Sequence, residues 1–169
     1  MHGQCDILEL TAERSTALHV AAEQGHDELI RELYHRFRDQ GLLSRRNSAL
    51  DSPLHCAARA GHDRAVNVLV EVARDCGENI LGCKNEAGDT ALHLAARHGH
   101  GATVEVLVSA AAGPAAELNN AGVSPLYLAV ISGSLRAVRT IITKCKDDAS
   151  SAGPNSQNAL HAAVFQSSG

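Results

Sequence analysis

Apolar residues in this chain fall into short clusters at helical spacing, parted by polar, glycine-containing connections, and the arrangement returns at a nearly fixed interval. Ile30, Leu33 and Tyr34 make one cluster; Val66, Leu69 and Val70, then Val104, Leu107 and Val108, then Val138, Ile141 and Ile142 come after it in the same register. Steps of three and four residues put each cluster on one side of a helix, so each predicts a helix with one buried face. Ahead of every cluster stands a shorter motif. Thr16-Ala-Leu-His-Val-Ala-Ala-Glu-Gln-Gly-His26 returns as Ser52-Pro-Leu-His-Cys-Ala-Ala-Arg-Ala-Gly-His62 and as Thr90-Ala-Leu-His-Leu-Ala-Ala-Arg-His-Gly-His100. Looser copies run Ser124-Pro-Leu-Tyr-Leu-Ala-Val-Ile-Ser-Gly-Ser134 and, incompletely, Asn158-Ala-Leu-His-Ala-Ala-Val-Phe165. Between His19, His55, His93, Tyr127 and His161 the steps are 36, 38, 34 and 34 residues. The surplus in the first two steps falls near residues 38–48 and 74–84, polar connections where insertions are tolerated.

Each motif reads as a short helix. Its opening Ser, Thr or Asn can accept from the unpaired backbone N–H groups of the first turn, and Pro53 and Pro125 take the first helical position, where a missing N–H costs little. Gly25, Gly61, Gly99 and Gly133 fall where the helix must stop in a left-handed residue. The alanine pairs Ala21-Ala22, Ala57-Ala58 and Ala95-Ala96 keep these helices thin enough to stack closely. Turn sequences such as Asn85-Glu-Ala-Gly88-Asp89 and Asn120-Ala-Gly122-Val123 form projecting tips between units. The expected architecture is an all-α solenoid of stacked helix-turn-helix units, one domain over residues 1–169, with units at 7–44, 45–82, 83–116, 117–150 and a partial fifth at 151–169. That fifth motif lacks a second helix, so Leu160, Ala163 and Val164 should be poorly covered. Continuation into a longer protein, or self-association through the open C-terminal edge, would cover them.

The motif T-A-L-H-x-A-A-x-x-G-H resembles the ankyrin consensus, from about residue 7 to the C-terminus. The resemblance implies an L-shaped stack whose first helices and turn tips make a concave face for protein recognition. It places the eighth and ninth motif positions on that face: Glu23 and Gln24, Arg59 and Ala60, Arg97 and His98, Ile131 and Ser132, then Phe165 and Gln166. The series runs from acidic through basic to apolar, which suits a partner with an acidic centre flanked by an apolar segment. The tip residues Arg45, Arg46, Glu86, Asp89 and Asn120 form a second candidate surface. More narrowly, Ser124-Pro-Leu-Tyr127-Leu-Ala-Val with Gly153-Pro154-Asn-Ser-Gln-Asn-Ala-Leu-His161 is similar to plant ankyrin proteins that carry a C-terminal membrane domain named for a Pro-Gly-Gly motif. Those proteins are associated with defence, cell-death control and salt-stress signalling. This sequence contains no such segment, so membrane attachment does not carry over.

Composition narrows the function further. A formal charge of -4 and a pI of about 6.2 provide no bulk attraction for phosphate backbones, and no basic stripe or interleaved aromatic pattern is present, so no nucleic acid is expected as a partner. Tyr34, Phe37, Tyr127 and Phe165 are the aromatics, which fits thin stacked helices better than a β-sandwich. Five cysteines without a C-x-x-C pair suggest a reducing compartment, with Cys56 a small buried side chain and Cys76 and Cys83 flanking a loop. No apolar run is long enough to span a bilayer, and no charged-then-apolar leader opens the chain, so the expectation is a soluble, cytoplasmic protein, or one at the inner face of a membrane if part of a longer chain.

Ten histidines invite a metal reading, but His19, His55, His93 and His161 share one motif position and His26, His62 and His100 another. The resemblance assigns the first set to bonding near the capping residue and across units, so neither a metal nor a cofactor is expected. No nucleophile elbow, P-loop or dinucleotide fingerprint occurs, and the chain is not expected to be an enzyme. The expected function is a protein-interaction scaffold in plant stress or immune signalling, the alternative being the regulatory cytosolic portion of a membrane signalling or channel-like protein.

Overall fold

The computed structural model describes residues 11–166, apart from the side chains of Phe165 and Gln166. Its α-helices are α1 (Ala17–Glu23), α2 (Asp27–Arg36), α3 (Pro53–Ala60), α4 (Asp63–Cys76), α5 (Ala91–Arg97), α6 (Gly101–Ala110), α7 (Pro125–Ile131), α8 (Leu135–Cys145) and α9 (Ala159–Gln166). The odd-numbered helices are the motif helices and pack side by side, α1 on α3, α3 on α5, α5 on α7 and α7 on α9. The even-numbered helices form a second layer in the same order, and each of α2, α4, α6 and α8 also packs on the motif helix before it. The result is the solenoid that the repeat predicts, with a core running along the seam between layers. Among the described residues α9 has no even-numbered helix after it.

Local chemistry explains where the motif helices begin and end. Thr16 and Thr90 each accept from the backbone N–H three residues on, at 3.4 Å, and Ser124 accepts from Tyr127 at 3.2 Å. Gly25, Gly61, Gly99 and Gly133 all take left-handed φ between 70° and 79° at the helix ends. Two of these glycines are held to that identity from outside as well: a Cβ on Gly25 would lie 2.7 Å from the His62 ring, and one on Gly61 would lie 2.6 Å from the His100 ring. The alanine pairs are fully buried, as thin stacking requires.

The second layer departs from expectation at three places. Ile142 is 52% exposed, although its register equivalents Tyr34, Val70 and Val108 are buried. Each of those three has the next unit's even helix packed beside its own, and among the described residues α8 has none. The surplus near residues 38–48 is not simply polar loop: Leu42 and Leu43, in a single 3-10 turn over Leu42–Ser44, are buried in the core. The surplus near residues 74–84 lengthens a helix, α4 having 14 residues against 10 in α2 and α6, because Val72 and Ala73 continue its buried face.

The tips join the units. Ser48 N–H donates to Glu13 C=O at 2.8 Å, Glu86 N–H to Ala49 C=O at 3.0 Å and Asn120 N–H to Ala87 C=O at 3.0 Å. Asn47, Asn85 and Asn119 each use their side-chain oxygen to accept two N–H groups of their own turn, at 3.0–3.1 Å. In the turns led by Asn85 and Asn119 the left-handed residue is Gly88 or Gly122; in the turn led by Asn47 it is Leu50, at φ 59°.

Candidate protein-binding surface

The motif helices turn the end of each helix to solvent and bury almost everything before it. In α5, residues Ala91 to Ala96 are buried, whereas Arg97 and His98 are exposed. Glu23, Gln24, Ile131 and Ser132 are likewise exposed, and Arg59 and Ala60 are half-buried. The eighth and ninth motif positions therefore share one face of the odd-numbered layer over four units. Phe165 and Gln166, the fifth pair, have side chains outside those described.

The two arginines of this face have internal partners that motif position alone does not reveal. Arg97 grips the Asp89 carboxylate through two nitrogens, at 2.6 and 3.1 Å, and Asn119 from the next tip donates to the same carboxylate at 2.8 Å. One unit earlier Arg59 bonds the Asp51 carboxylate, to which Asn85 of the next tip donates at 2.9 Å. Both carboxylates are 1% exposed, while the arginines keep 41% (Arg59) and 39% (Arg97) of their side chains in solvent. Burial pushes the Asp89 carboxyl up, but the hydrogen bonds from Arg97 and Asn119 outweigh it and hold the group below its usual range.

These bonds correct two expectations. Asp89 is not a tip residue open to a partner, because its side chain is enclosed by these donors. The middle units are not a basic stretch either: each arginine is offset by a buried carboxylate, so the run from acidic through basic to apolar flattens at its centre. What remains presented there is the outer edge of two pinned guanidinium groups. The other basic element is His98, whose ring stacks on His100 at 6.0 Å between centroids. Partial burial, then the His100, Arg97 and Arg59 charges, lower its pKa.

The signal for this network was present in the sequence as a joint substitution. Asp51, Arg59 and Asn85 correspond by register to Asp89, Arg97 and Asn119, and then to Val123, Ile131 and Gly153. All three polar members disappear together in the last step. There Val123 is buried and Ile131 is 49% exposed, an apolar version of the same position.

The first histidine set is occupied in the same way. In Thr16, Ser52 and Thr90 the backbone N–H donates to the Nδ1 of the histidine three residues on, at 3.2 Å. Nδ1 is thus an acceptor, and Nε2–H donates across to the next unit: His19 to Asp51 C=O at 2.9 Å, His55 to Asp89 C=O at 3.0 Å, His93 to Val123 C=O at 3.1 Å. Burial lowers all three pKa values, against the opposing pull of these carbonyls and nearby aspartates. In the second set, His100 Nε2 donates to Arg59 C=O at 3.0 Å. Tyr127 replaces the motif histidine in α7 and its hydroxyl donates to Gln157 at 3.1 Å. Cys56 is buried and its thiol pushed up to about 12 by desolvation, as befits a packing residue. Among the described residues no cluster of three or more His, Cys, Asp or Glu is arranged to hold a metal ion.

At the tips, Arg45 is exposed, whereas the Arg46 guanidinium is tied to Leu50 C=O at 3.0 Å and to Lys84 C=O. Glu86 is exposed at its side chain, and its carbonyl accepts from the Asn120 amide at 3.0 Å. Arg45 and Glu86 are therefore the freer tip side chains, while Arg46 and Asn120 brace neighbouring turns. Among the described residues no helix is long and apolar enough to cross a membrane.

A comparison with curated proteins gave no match. The family model for ankyrin repeats, in three copies, matches residues 1–80 and 75–152. Ankyrin repeats are in general non-enzymatic modules of protein–protein interaction. Stacked helix pairs, capped motif helices with a cross-unit histidine and two family matches covering most of the sequence agree: this chain belongs to the ankyrin-repeat family.

Proposed function

We propose that this chain is a protein-interaction scaffold that captures its partner on the exposed face of α1, α3, α5 and α7. The reading is carried by one observation: on motif helices that are otherwise largely buried, the eighth and ninth positions are exposed or half-buried in all four units, Val20 being the other exposed side chain of α1, α3, α5 and α7. Glu23, Gln24, His98 and Ile131 are the principal contacts, Arg59 and Arg97 add pinned guanidinium edges, and Arg45, Arg46 and Glu86 extend the surface along the tips. Pinning favours this use, because a side chain already held in place loses less entropy on binding. A partner presenting carboxylates toward Arg97 and His98 and an apolar side chain toward Ile131 fits the arrangement. The narrower plant resemblance supports a cytoplasmic setting in stress or immune signalling.

Reversing Arg59 and Arg97 would be a poor test, since each new carboxylate would face a buried one and report on folding. His98→Glu with Ile131→Glu avoids those ties. Affinity capture from plant lysate should lose the partner with the double variant while its thermal unfolding stays at the native temperature. Equal capture by both chains would move the binding surface elsewhere.

A further inference from the structure

Tyr34 carries a polar group that the fold closes over without satisfying. The residue is 6% exposed and its hydroxyl makes no hydrogen bond; among the described residues, Thr103 has the other buried hydroxyl in that condition. Leaving such a donor unpaired costs stability. Packing alone does not call for a phenol here, since the same register position holds Val70, Val108 and Ile142 in the units that follow.

Two groups act on that hydroxyl. The stronger is Cys76, the last residue of α4, which packs beside α2. The other is Arg38, whose guanidinium carbon lies 6.0 Å from the centroid of the Tyr34 ring. Cys76 first, and then burial, push the hydroxyl above its ordinary pKa, so it keeps its proton and stays a donor. Cys76 is half-buried, so solvent reaches it, and its thiol donates to Ala73 C=O at 3.3 Å. Cys83 supplies a contrast within the chain. Equally half-buried, it belongs to the loop beyond α4 and is not among the groups that act on Tyr34.

We propose that Cys76 is a peroxide-reactive thiol, oxidised to a sulfenic acid whose new oxygen accepts the hydrogen bond that Tyr34 lacks in the reduced protein. The sulfur, as thiolate, attacks one oxygen of hydrogen peroxide: an S–O bond forms, the O–O bond breaks, and the departing hydroxide takes up the thiol proton to leave as water. Sulfur loses two electrons and the peroxide gains them. Tyr34 donates to the oxygen on which negative charge gathers, and Arg38 supplies positive charge beside it. The product ties α2 to α4 through Tyr34 and the oxidised sulfur, adding a link between the first two units. This seam lies in the even-numbered layer, apart from the face of Glu23, His98 and Ile131, and its chemistry does not depend on what that face binds.

The whole protein, reduced and then freed of reductant, is treated with hydrogen peroxide in the presence of dimedone, which traps sulfenic acids, and the adduct at each cysteine is followed by peptide mass spectrometry. Cys76 should be trapped about tenfold faster than Cys83, the worth of one hydrogen bond to a charged oxygen. Tyr34→Phe should bring Cys76 down to the rate of Cys83 without lowering the thermal midpoint, because it removes a hydroxyl that makes no bond in the reduced chain. Cys56, buried in α3, reports on the fold and should stay unlabelled in both proteins. Equal trapping at Cys76 and Cys83 in the native chain, or a Cys76 rate that Tyr34→Phe leaves unchanged, would overturn the proposal. So would trapping of Cys76 only under conditions that also label Cys56.

Discussion

Replacing Asp89 and Arg97 singly and together tests whether the buried carboxylate and its arginine act as one unit. Arg97→Ile removes two of the three side-chain donors that the Asp89 carboxylate has, leaving a carboxylate 1% exposed with Asn119 alone. Breaking a fully buried ion pair costs about 3–5 kcal/mol. Arg97 keeps 39% of its side chain in solvent, so screening reduces the loss to about 2–3 kcal/mol. Asp89→Val should cost less, about 1–2 kcal/mol, because Arg97 can turn into water and only the Asn119 amide loses its acceptor. The double change reproduces the Val123 and Ile131 pair of the next unit, and should cost no more than Asp89→Val alone. The expected coupling is about 2 kcal/mol, far outside the ~0.5 kcal/mol within which independent sites add. Urea unfolding monitored by circular dichroism at 222 nm measures all four corners, and thermal midpoints should move by about 2–4 °C per kcal/mol. If the single effects add to give the double, the two residues are independent and the joint substitution along the chain has another origin.

Stability should fall in mild acid. His19, His55 and His93 are held neutral below their ordinary pKa, so the unfolded chain binds more protons than the folded one as pH drops through about 6.5; the contribution is complete above that pH and lost below it. Each histidine contributes a slope of up to about 1.4 kcal/mol per pH unit, and a flat profile from pH 7 to 5.5 in urea titrations would contradict the assignment. Leu50→Gly should raise the urea midpoint, by about 0.5–1 kcal/mol of stability, since a left-handed Leu at φ 59° carries a steric cost that Gly88 and Gly122 do not. Gly153→Ala should destabilise by about 1–3 kcal/mol, its Cβ falling 2.2 Å from the Tyr127 ring. The same change should be tolerated in a Tyr127→His background, because Asn47, Asn85 and Asn119 stand at the corresponding position opposite His19, His55 and His93, and calorimetry would separate the two cases.

The helices, their caps and their order were legible in the sequence because those features are set by neighbours within a few residues. Thr16, Ser52 and Thr90 cap the helices that begin at the next residue, Gly61 ends the helix before it, and spacing alone assigns Val66, Leu69 and Val70 to one face. The cross-unit role of His55 could be anticipated as well, from the resemblance of its motif to the ankyrin consensus. Which side chains are free to meet a partner could not be read in the same way. Arg97 and Asp89 look like a surface cation and a tip acid until the fold brings them to 2.6 Å, and Ile142 has the same spacing as Val108 but, among the described residues, no following even helix beside it. Sequence by itself determined the repeating unit, because capping, periodicity and turn formation are local. Tertiary structure alone decided which polar groups are used internally and which remain presented to solvent, because burial and ion pairing depend on what the next unit places alongside.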